Sequence, residues 1–308
     1  MKKTKGLPGH GAFTAERLAR ALLLICAVVA IFAVCAITFY LFAKGLPALH
    51  RVGIGELLFG TIWKPTAAEP RFGIAYIILS SIVGTAMSVL LGVPVGLLTA
   101  VFLTEVSSKH LSAVVQPAVE LLAAIPSVIY GLLGMMLLNP VLYKLEKSIF
   151  AGSATHQYTG GADLLAAVIV LAIMILPTVI SVSASAIRAV PGQLRAASLA
   201  LGASKMQTIW GVTVPAAKSG ILTGVVLGMG RALGEAMAIN MVAGGSVNLP
   251  LPFNSVRFLT TQLVSEMGYA EGIHRQVLFT VGLVLYLFIM IVNLVLQRLR
   301  REGGKDHG

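Results

Sequence analysis

Charge is what this sequence has least of. Only 11% of its 308 residues are Asp, Glu, Lys or Arg, where a soluble domain carries about 25%. The shortage falls mainly on acids, 12 against 23 basic residues. Hydrophobic residues make up 57% of the chain and its mean hydropathy is +0.90. An ordinary soluble enzyme and a disordered tail are excluded on these grounds, and a polytopic membrane protein is the reading that remains. Cysteine is scarce as well. Cys26 and Cys35 lie in one apolar run and cannot meet along one straight helix, so a disulfide-stapled secreted domain is excluded and both read as small lipid- or helix-facing residues.

Several chemical signatures are missing. The chain contains no G-x-x-x-x-G-K-[ST] sequence, so it carries no P-loop and no ATP hydrolysis by that route. His10, His50, His110, His156, His274 and His307 all lie outside the depths of the apolar runs. No H-E-x-x-H and no Cys/His cluster occurs, which argues against an intramembrane metalloprotease or a Ser–His protease. Nothing points to a bound metal, haem or flavin, and no cofactor is expected in this chain.

What is present is a series of apolar runs. The first, Ala21–Ala43, is too long for a signal-peptide core and is followed by no convincing cleavage site. Five more follow at 73–103, 112–138, 163–186, 219–243 and 277–297, each able to cover the roughly 20 residues that a bilayer core demands. Pro94, Pro117, Pro126 and Pro177 lie within them, where proline produces kinks that neighbouring helices tolerate. The net charge of +11 therefore reads as helix orientation in lipid rather than nucleic-acid binding. Of the 23 Lys and Arg, 14 fall on the side of the N-terminus and 8 on the other, with Arg231 left inside a run. Six spans with both termini in the cytoplasm follow. The segments Gly45–Phe72, Asn139–Ala162 and Gly244–Gln276 are then external, and Gly152–Gly161 reads as a flexible polar loop.

The segment between the fourth and fifth runs, Ile187–Lys218, carries the clearest local signals. Pro191 suits the first turn of a helix. Gln193–Leu201 is rich in Ala and Leu, and Gly202 is placed to end that helix in a left-handed cap. Ser204 and Gln207 form an S-x-x-Q capping box that opens a second helix, and Pro215 marks its end. A helix–turn–helix on the cytoplasmic face is expected.

This loop resembles the EAA motif of type I ABC importer permeases, E-A-A-x3-G-x9-I-x-L-P. Ala197, Gly202, Val212, Val214 and Pro215 fall in register, Ser198 takes the second Ala position, and Ala196 replaces the Glu. The resemblance extends to ELLAAIPSVIYGLLG (Glu120–Gly134), LAIMILPTVISVSASAIRAVP (Leu171–Pro191) and GMGRALGEAMA (Gly228–Ala238), which look like the phosphate-specific importer permeases and, among these, the PstC-type subunit. It implies an all-α, six-span, MetI-like permease of the bacterial inner membrane, with an N-terminal segment 1–20, a first span and outer segment 21–71, a core 72–299 containing the coupling loop 187–218, and a tail 300–308. It implies as partners a PstA-like permease, two copies of an ATPase subunit that hold ATP and Mg, and an external phosphate-binding protein. The loop would seat on the ATPase, and Arg195 beside Ala196 offers a contact in place of the missing carboxylate.

Three charged residues inside the runs are candidates for a substrate path. Arg231 and Glu235, spaced i, i+4, would share one face of the fifth helix. An ionised group at the centre of a membrane helix costs about 2.5–3.5 kcal/mol on insertion scales, so such residues usually face a bundle interior or a water-filled path. A self-neutralising pair would also satisfy this pattern, although Arg before Glu is the weaker order. The resemblance implies that the matching Arg and Glu belong to the translocation path. Glu120, in the third run, is expected to be buried and to face a cavity, a charge or a broken helix. The glycine pairs Gly92/Gly96, Gly224/Gly228 and Gly230/Gly234 read as helix-packing notches that make the fifth helix central. Outside phosphate, the readings left open are a permease for sulfate, molybdate or tungstate, an intramembrane enzyme, and a membrane scaffold without a path.

Overall fold

The computed structural model describes residues 10–153 and 155–303. Among the described residues the regular secondary structure is helical apart from one hairpin of two two-residue strands. Five of the described helices are long and apolar enough to cross a membrane, and the count is six if the pair Lys205–Ala216 and Lys218–Gly234, bent by 68°, is taken as one span. The protein is an all-α, multi-pass membrane protein, as its apolar runs require.

Helix α1 (His10–Val52) is one continuous helix through Pro47, so the first span extends beyond Ala43 into the segment expected to be external. Its hydrophobic side chains, such as Leu23 and Phe32, are exposed. Cys26 and Cys35 are free thiols on that exposed surface. A short α2 (Ile54–Phe59) and a hairpin of β1 (Trp63–Lys64) and β2 (Arg71–Phe72) follow. Helix α3 (Ala75–Val101) ends in a π-helical turn, Phe102–Val106.

The third run departs most from expectation. It is divided by a break at Ile125–Pro126 into α4 (Lys109–Ala124) and α5 (Ser127–Leu133), which continues through a π turn into α6 (Asn139–Ile149). The long apolar helix here is Ser127–Ile149, so it starts after, and ends well beyond, the expected 112–138. Pro126 disfavours helical geometry in the residue before it, and Ile125 is extended (φ −66°, ψ 127°).

Helix α7 (Leu164–Arg188) is the centre of the fold, a place expected for the fifth helix. It is buried along most of its length, from Leu164 through Met174 to Ile187. Lipid tails are as apolar as Leu, so helices in a membrane associate by close packing, which small residues permit. A Cβ on Gly92 or Gly96 of α3 would stand 2.7 or 2.8 Å from Ile175 or Val179 of α7. Gly224 and Gly228 of α11 (Lys218–Gly234) meet Ser183 and Val179 on the same helix. Gly230 and Gly234 meet nothing within 4 Å, so the third glycine pair makes no packing notch among the described residues.

Between α7 and α11 lie α8 (Gly192–Ala200), α9 (Lys205–Thr208), a π turn at Ile209–Thr213 and α10 (Val214–Ala216). The expected cap and box both form. Gly202 has φ +86°, and Ser204 and Gln207 exchange side chain–backbone hydrogen bonds of 2.8 and 3.3 Å. Pro215 lies inside α10, and the bend falls just after it at Ala217.

Helix α12 (Met237–Val242), α13 (Leu259–Glu266) and α14 (Gly272–Gly303) complete the chain. Helix α14 packs on α1, where Thr280 donates to the Gly45 carbonyl at 2.7 Å. In the loop expected to be flexible, Gly152–Gly161, the residues His156 and Thr159 are tied down instead. The fully buried carboxylate of Glu146 accepts from His156 at 2.9 Å and from the Thr159 backbone N–H at 3.0 Å.

Candidate functional site at two broken helices

Two helices lose their continuity, and the segments that follow the breaks, α5 and α12, meet. The first break is Ile125–Pro126. The second follows Gly234, where Glu235 turns extended (φ −74°, ψ 128°) and the chain resumes as α12. A Cβ on Gly131 of α5 would stand 2.8 Å from the Cα of Ala238 on α12, and one on Gly134 would stand 2.7 Å from Val242. At Gly131 two backbones approach closely, and at Gly134 the valine side chains fill the space a Cβ would need.

A break inside a membrane frees backbone groups that water cannot satisfy. Both breaks solve this with a hydroxyl from elsewhere. Tyr130 donates to the Leu122 carbonyl at 2.7 Å, and Thr260 of α13 donates to the Glu235 carbonyl at 2.7 Å. A hydrophobic core that includes Leu164, Val168, Leu171, Ile175, Ala238 and Val242 packs beneath them.

Among the described residues Arg231 and Glu235 do not form the i, i+4 pair that their spacing suggests, because α11 ends at Gly234, between the two. Each charge is instead placed against a helix end. Arg231 lies in the last turn of α11, where the aligned carbonyl dipoles favour a cation by roughly 0.3–1 kcal/mol. Glu235 Oε1 accepts from the Ala238 backbone N–H at 3.0 Å and caps α12. Among the described residues no hydrogen bond or ion pair reaches the Arg231 guanidinium, which is half-buried and within electrostatic reach of Tyr130. Its donors are free to bind an anion.

Glu120 stands apart from this pair. It is exposed on α4, not buried in a span, and its carboxylate accepts from Gln116 at 3.3 Å. Gln116 in turn accepts from Arg188. Glu120 lines a separate cavity of about 430 Å³ together with Lys109, Ser112 and Arg188.

In the α8–α10 loop, Ala196 and Ala197 are exposed, as are Leu194, Leu199, Leu201 and Met206. The loop therefore presents an apolar surface around the Gly202 turn. Ser198 is turned inward and shares a 2.9 Å hydrogen bond with Thr208. Arg195 also turns inward, which corrects the expectation that it offers an outward contact. Its Nη2 lies 2.8 Å from Glu105 Oε1 and 2.7 Å from the Ile187 carbonyl.

Sequence reasoning missed Glu105, a lone acid at the end of an apolar run, which was the available signal. It also missed the carboxylates Glu146 and Glu266. Glu266 is buried on the hairpin side, pairs with Arg257 and His274, and accepts from the Trp63 indole N–H at 3.0 Å. No spacing rule links Trp63, Arg257, Glu266 and His274.

Comparison with known proteins agrees with this architecture. The chain is 34% identical over 279 residues to the phosphate transport system permease protein PstC of Xylella fastidiosa, covering 84% of each. It is 40% identical over 288 residues to a probable ABC transporter permease protein, YqgH, of Bacillus subtilis, covering 91% of this chain and 90% of that one. Among solved structures, a chain of a bacterial alginate ABC transporter in complex with its alginate-bound periplasmic protein aligns with a TM-score of 0.63 at 19% identity, over 93% of this chain and 96% of that one; this likeness concerns the fold alone. Residues 92–302, which hold both breaks and the α8–α10 loop, match the binding-protein-dependent transport system inner membrane component family, and the chain belongs to that family.

Proposed function

We propose that this chain is the membrane-spanning permease subunit of an ATP-driven, binding-protein-dependent importer of inorganic phosphate, and that Arg231 is the cationic contact on its path. The observation that carries the reading is the Arg231 guanidinium at the end of a broken helix with no carboxylate on it among the described residues. The substrate is taken from the resemblance to PstC proteins. A guanidinium offers several donors in a planar fork that suits an oxyanion. Glu235, whose carboxylate is held by α12 close by in sequence, keeps the local charge low, so that phosphate is drawn in and released rather than trapped. Broken helices lining a site are a recurring transporter arrangement.

The remaining parts follow from this reading. The chain sits in the bacterial inner membrane with both termini in the cytoplasm. It pairs with a PstA-like permease, and the exposed Leu194, Leu199, Leu201 and Met206 seat the loop on one of two ATPase subunits. ATP and Mg are held by those subunits, and a phosphate-binding protein delivers cargo from outside. ATP binding closes the ATPase pair and the loop passes that motion to the helices. The permease then opens outward, and hydrolysis resets it. The ligands shift populations only by binding one state better than the other.

The test is labelled-phosphate uptake in starved cells that lack the subunit and are supplied with this gene, with excess sulfate or molybdate as competitors. Restored uptake that neither competitor reduces is expected. An assembled complex that moves no phosphate, or whose phosphate uptake sulfate or molybdate suppresses, overturns the substrate assignment.

A further inference from the structure

Helix α8 has no buried residue of its own, so apolar packing does not fix it to the membrane helices. Packing at this end belongs to other elements. Ala100 and Val101 of α3, Ala184 and Ile187 of α7, Ile209 of the π turn and Ile221 of α11 form a common cluster. Polar links tie α8 to that cluster. One is the Ser198–Thr208 hydrogen bond, which stays within the loop. The other is Arg195.

Among the described residues of α8, Arg195 alone reaches two spans. Its Nη2 is 2.8 Å from Glu105 Oε1, in the π turn that ends α3, and 2.7 Å from the Ile187 carbonyl, in the last turn of α7. The Glu105 side chain is 12% exposed and that of Arg195 is 28% exposed, so the pair is sheltered from solvent screening. A sheltered carboxylate is costly without a partner, which makes the contact hard to give up while either charge remains. The geometry is directional too. One terminal nitrogen, Nη2, holds an acid and a carbonyl at once, and the shorter, flexible stem of a lysine places its ammonium there less well.

We infer that Arg195 and Glu105 are positioning residues for energy coupling: an ionic tie through which α8 moves α3 and the end of α7 together. This rests on the reading of α8 as the part that seats on the ATPase. The tie lies on the membrane side of the loop, so it acts after docking, not in it. Losing it leaves an ATPase that is bound and turning over but poorly connected to the helices.

The experiment uses the complete transporter in lipid vesicles, with the binding protein supplied. Wild type is compared with Arg195→Gln, Arg195→Lys, Glu105→Gln and the exchange Arg195→Glu/Glu105→Arg. Complex yield, ATP turnover with and without binding protein, and phosphate moved per ATP are measured. Both glutamine variants are expected to assemble and to keep basal turnover, with phosphate per ATP and the stimulation by binding protein lowered roughly tenfold. The lysine variant should fall between them and wild type, and the exchange should recover at least about a third of the loss. Normal coupling in assembled glutamine variants overturns the inference. So does loss of ATPase binding or of basal turnover in an otherwise assembled glutamine variant, which would place Arg195 against the ATPase itself. Failure of the glutamine variants to assemble, rescued by the exchange, would make the pair a structural tie and also overturn it. Wild-type vesicles that show stimulated ATP turnover but move no phosphate refute the substrate reading separately, since the turnover ratio still reports on the tie.

Discussion

The break at Glu235 and the cluster around Glu266 face the same difficulty, a charge held away from bulk water, and they resolve it in opposite ways. Around Glu266 each carboxylate oxygen has partners: Arg257, His274 and Trp63 converge on it. Arg257 is further fixed by the Gly245 carbonyl at 2.6 Å and by Gln262 at 3.0 Å. Both carboxylate oxygens are satisfied, although the buried Gln262 Nε2 has no partner among the described residues, and the effect of the cluster is to clamp the β1–β2 hairpin to α13. At the break, the charges are placed against helix ends and Arg231 keeps its donors free. A saturated charge holds structure, and a charge steadied only by backbone dipoles can receive a ligand.

The comparison breaks most visibly at Glu266. Glu266→Ala leaves the Arg257 guanidinium sheltered and unpaired, a loss of about 3–5 kcal/mol, and the amount of assembled complex in membranes should fall severalfold on quantitative blotting. Normal assembly with impaired transport would move Glu266 into the functional class. A smaller effect is expected at Gly131. A methyl group there meets the Ala238 backbone at 2.8 Å, so Gly131→Ala should push α5 from α12 and lower uptake about tenfold with assembly kept. An unchanged rate would mean that the close approach of the two halves is dispensable.

The smallest effect is electrostatic and lies at Asp163, the N-cap of α7, which accepts from Ala166 at 2.9 Å. Burial raises its pKa from 3.8 to about 6, with the Glu146 charge adding to the rise. The folded protein therefore holds this proton more tightly than the unfolded chain. The associated stability is present below pH about 4 and is lost as pH rises through about 6. Asp163→Asn keeps the cap and removes the charge, so its Tm should exceed that of wild type at pH about 7.5 and approach it near pH about 4.5. A gap that widens on acidification would contradict this.

Features set by neighbouring residues were legible in the sequence. The Gly202 cap and the Ser204–Gln207 box were readable because each depends on residues within one turn. The notches at Gly92, Gly96, Gly224 and Gly228 were readable as packing, but not the helix that would receive them. The breaks were not readable as breaks. Pro126 signalled a kink, but the end of α11 at Glu235 depends on Thr260, distant in sequence, to hold the freed carbonyl. Glu120 was misplaced for the same reason, since an apolar run read as one helix is two. Arg195 was read as outward because its partner, Glu105, belongs to another span. Charge partners across a fold leave no periodicity to find.

The central claim is that Arg231 is an unpaired cation on the path, not a structural charge. The most direct test is phosphate uptake by assembled complexes carrying Arg231→Gln or Arg231→Lys, with complex abundance measured in the same membranes. The account predicts normal abundance in both, uptake reduced by at least about 100-fold in Arg231→Gln, and partial activity in Arg231→Lys, which keeps the charge but loses the fork. Wild-type uptake by an assembled Arg231→Gln complex, or loss of the complex itself, would contradict it.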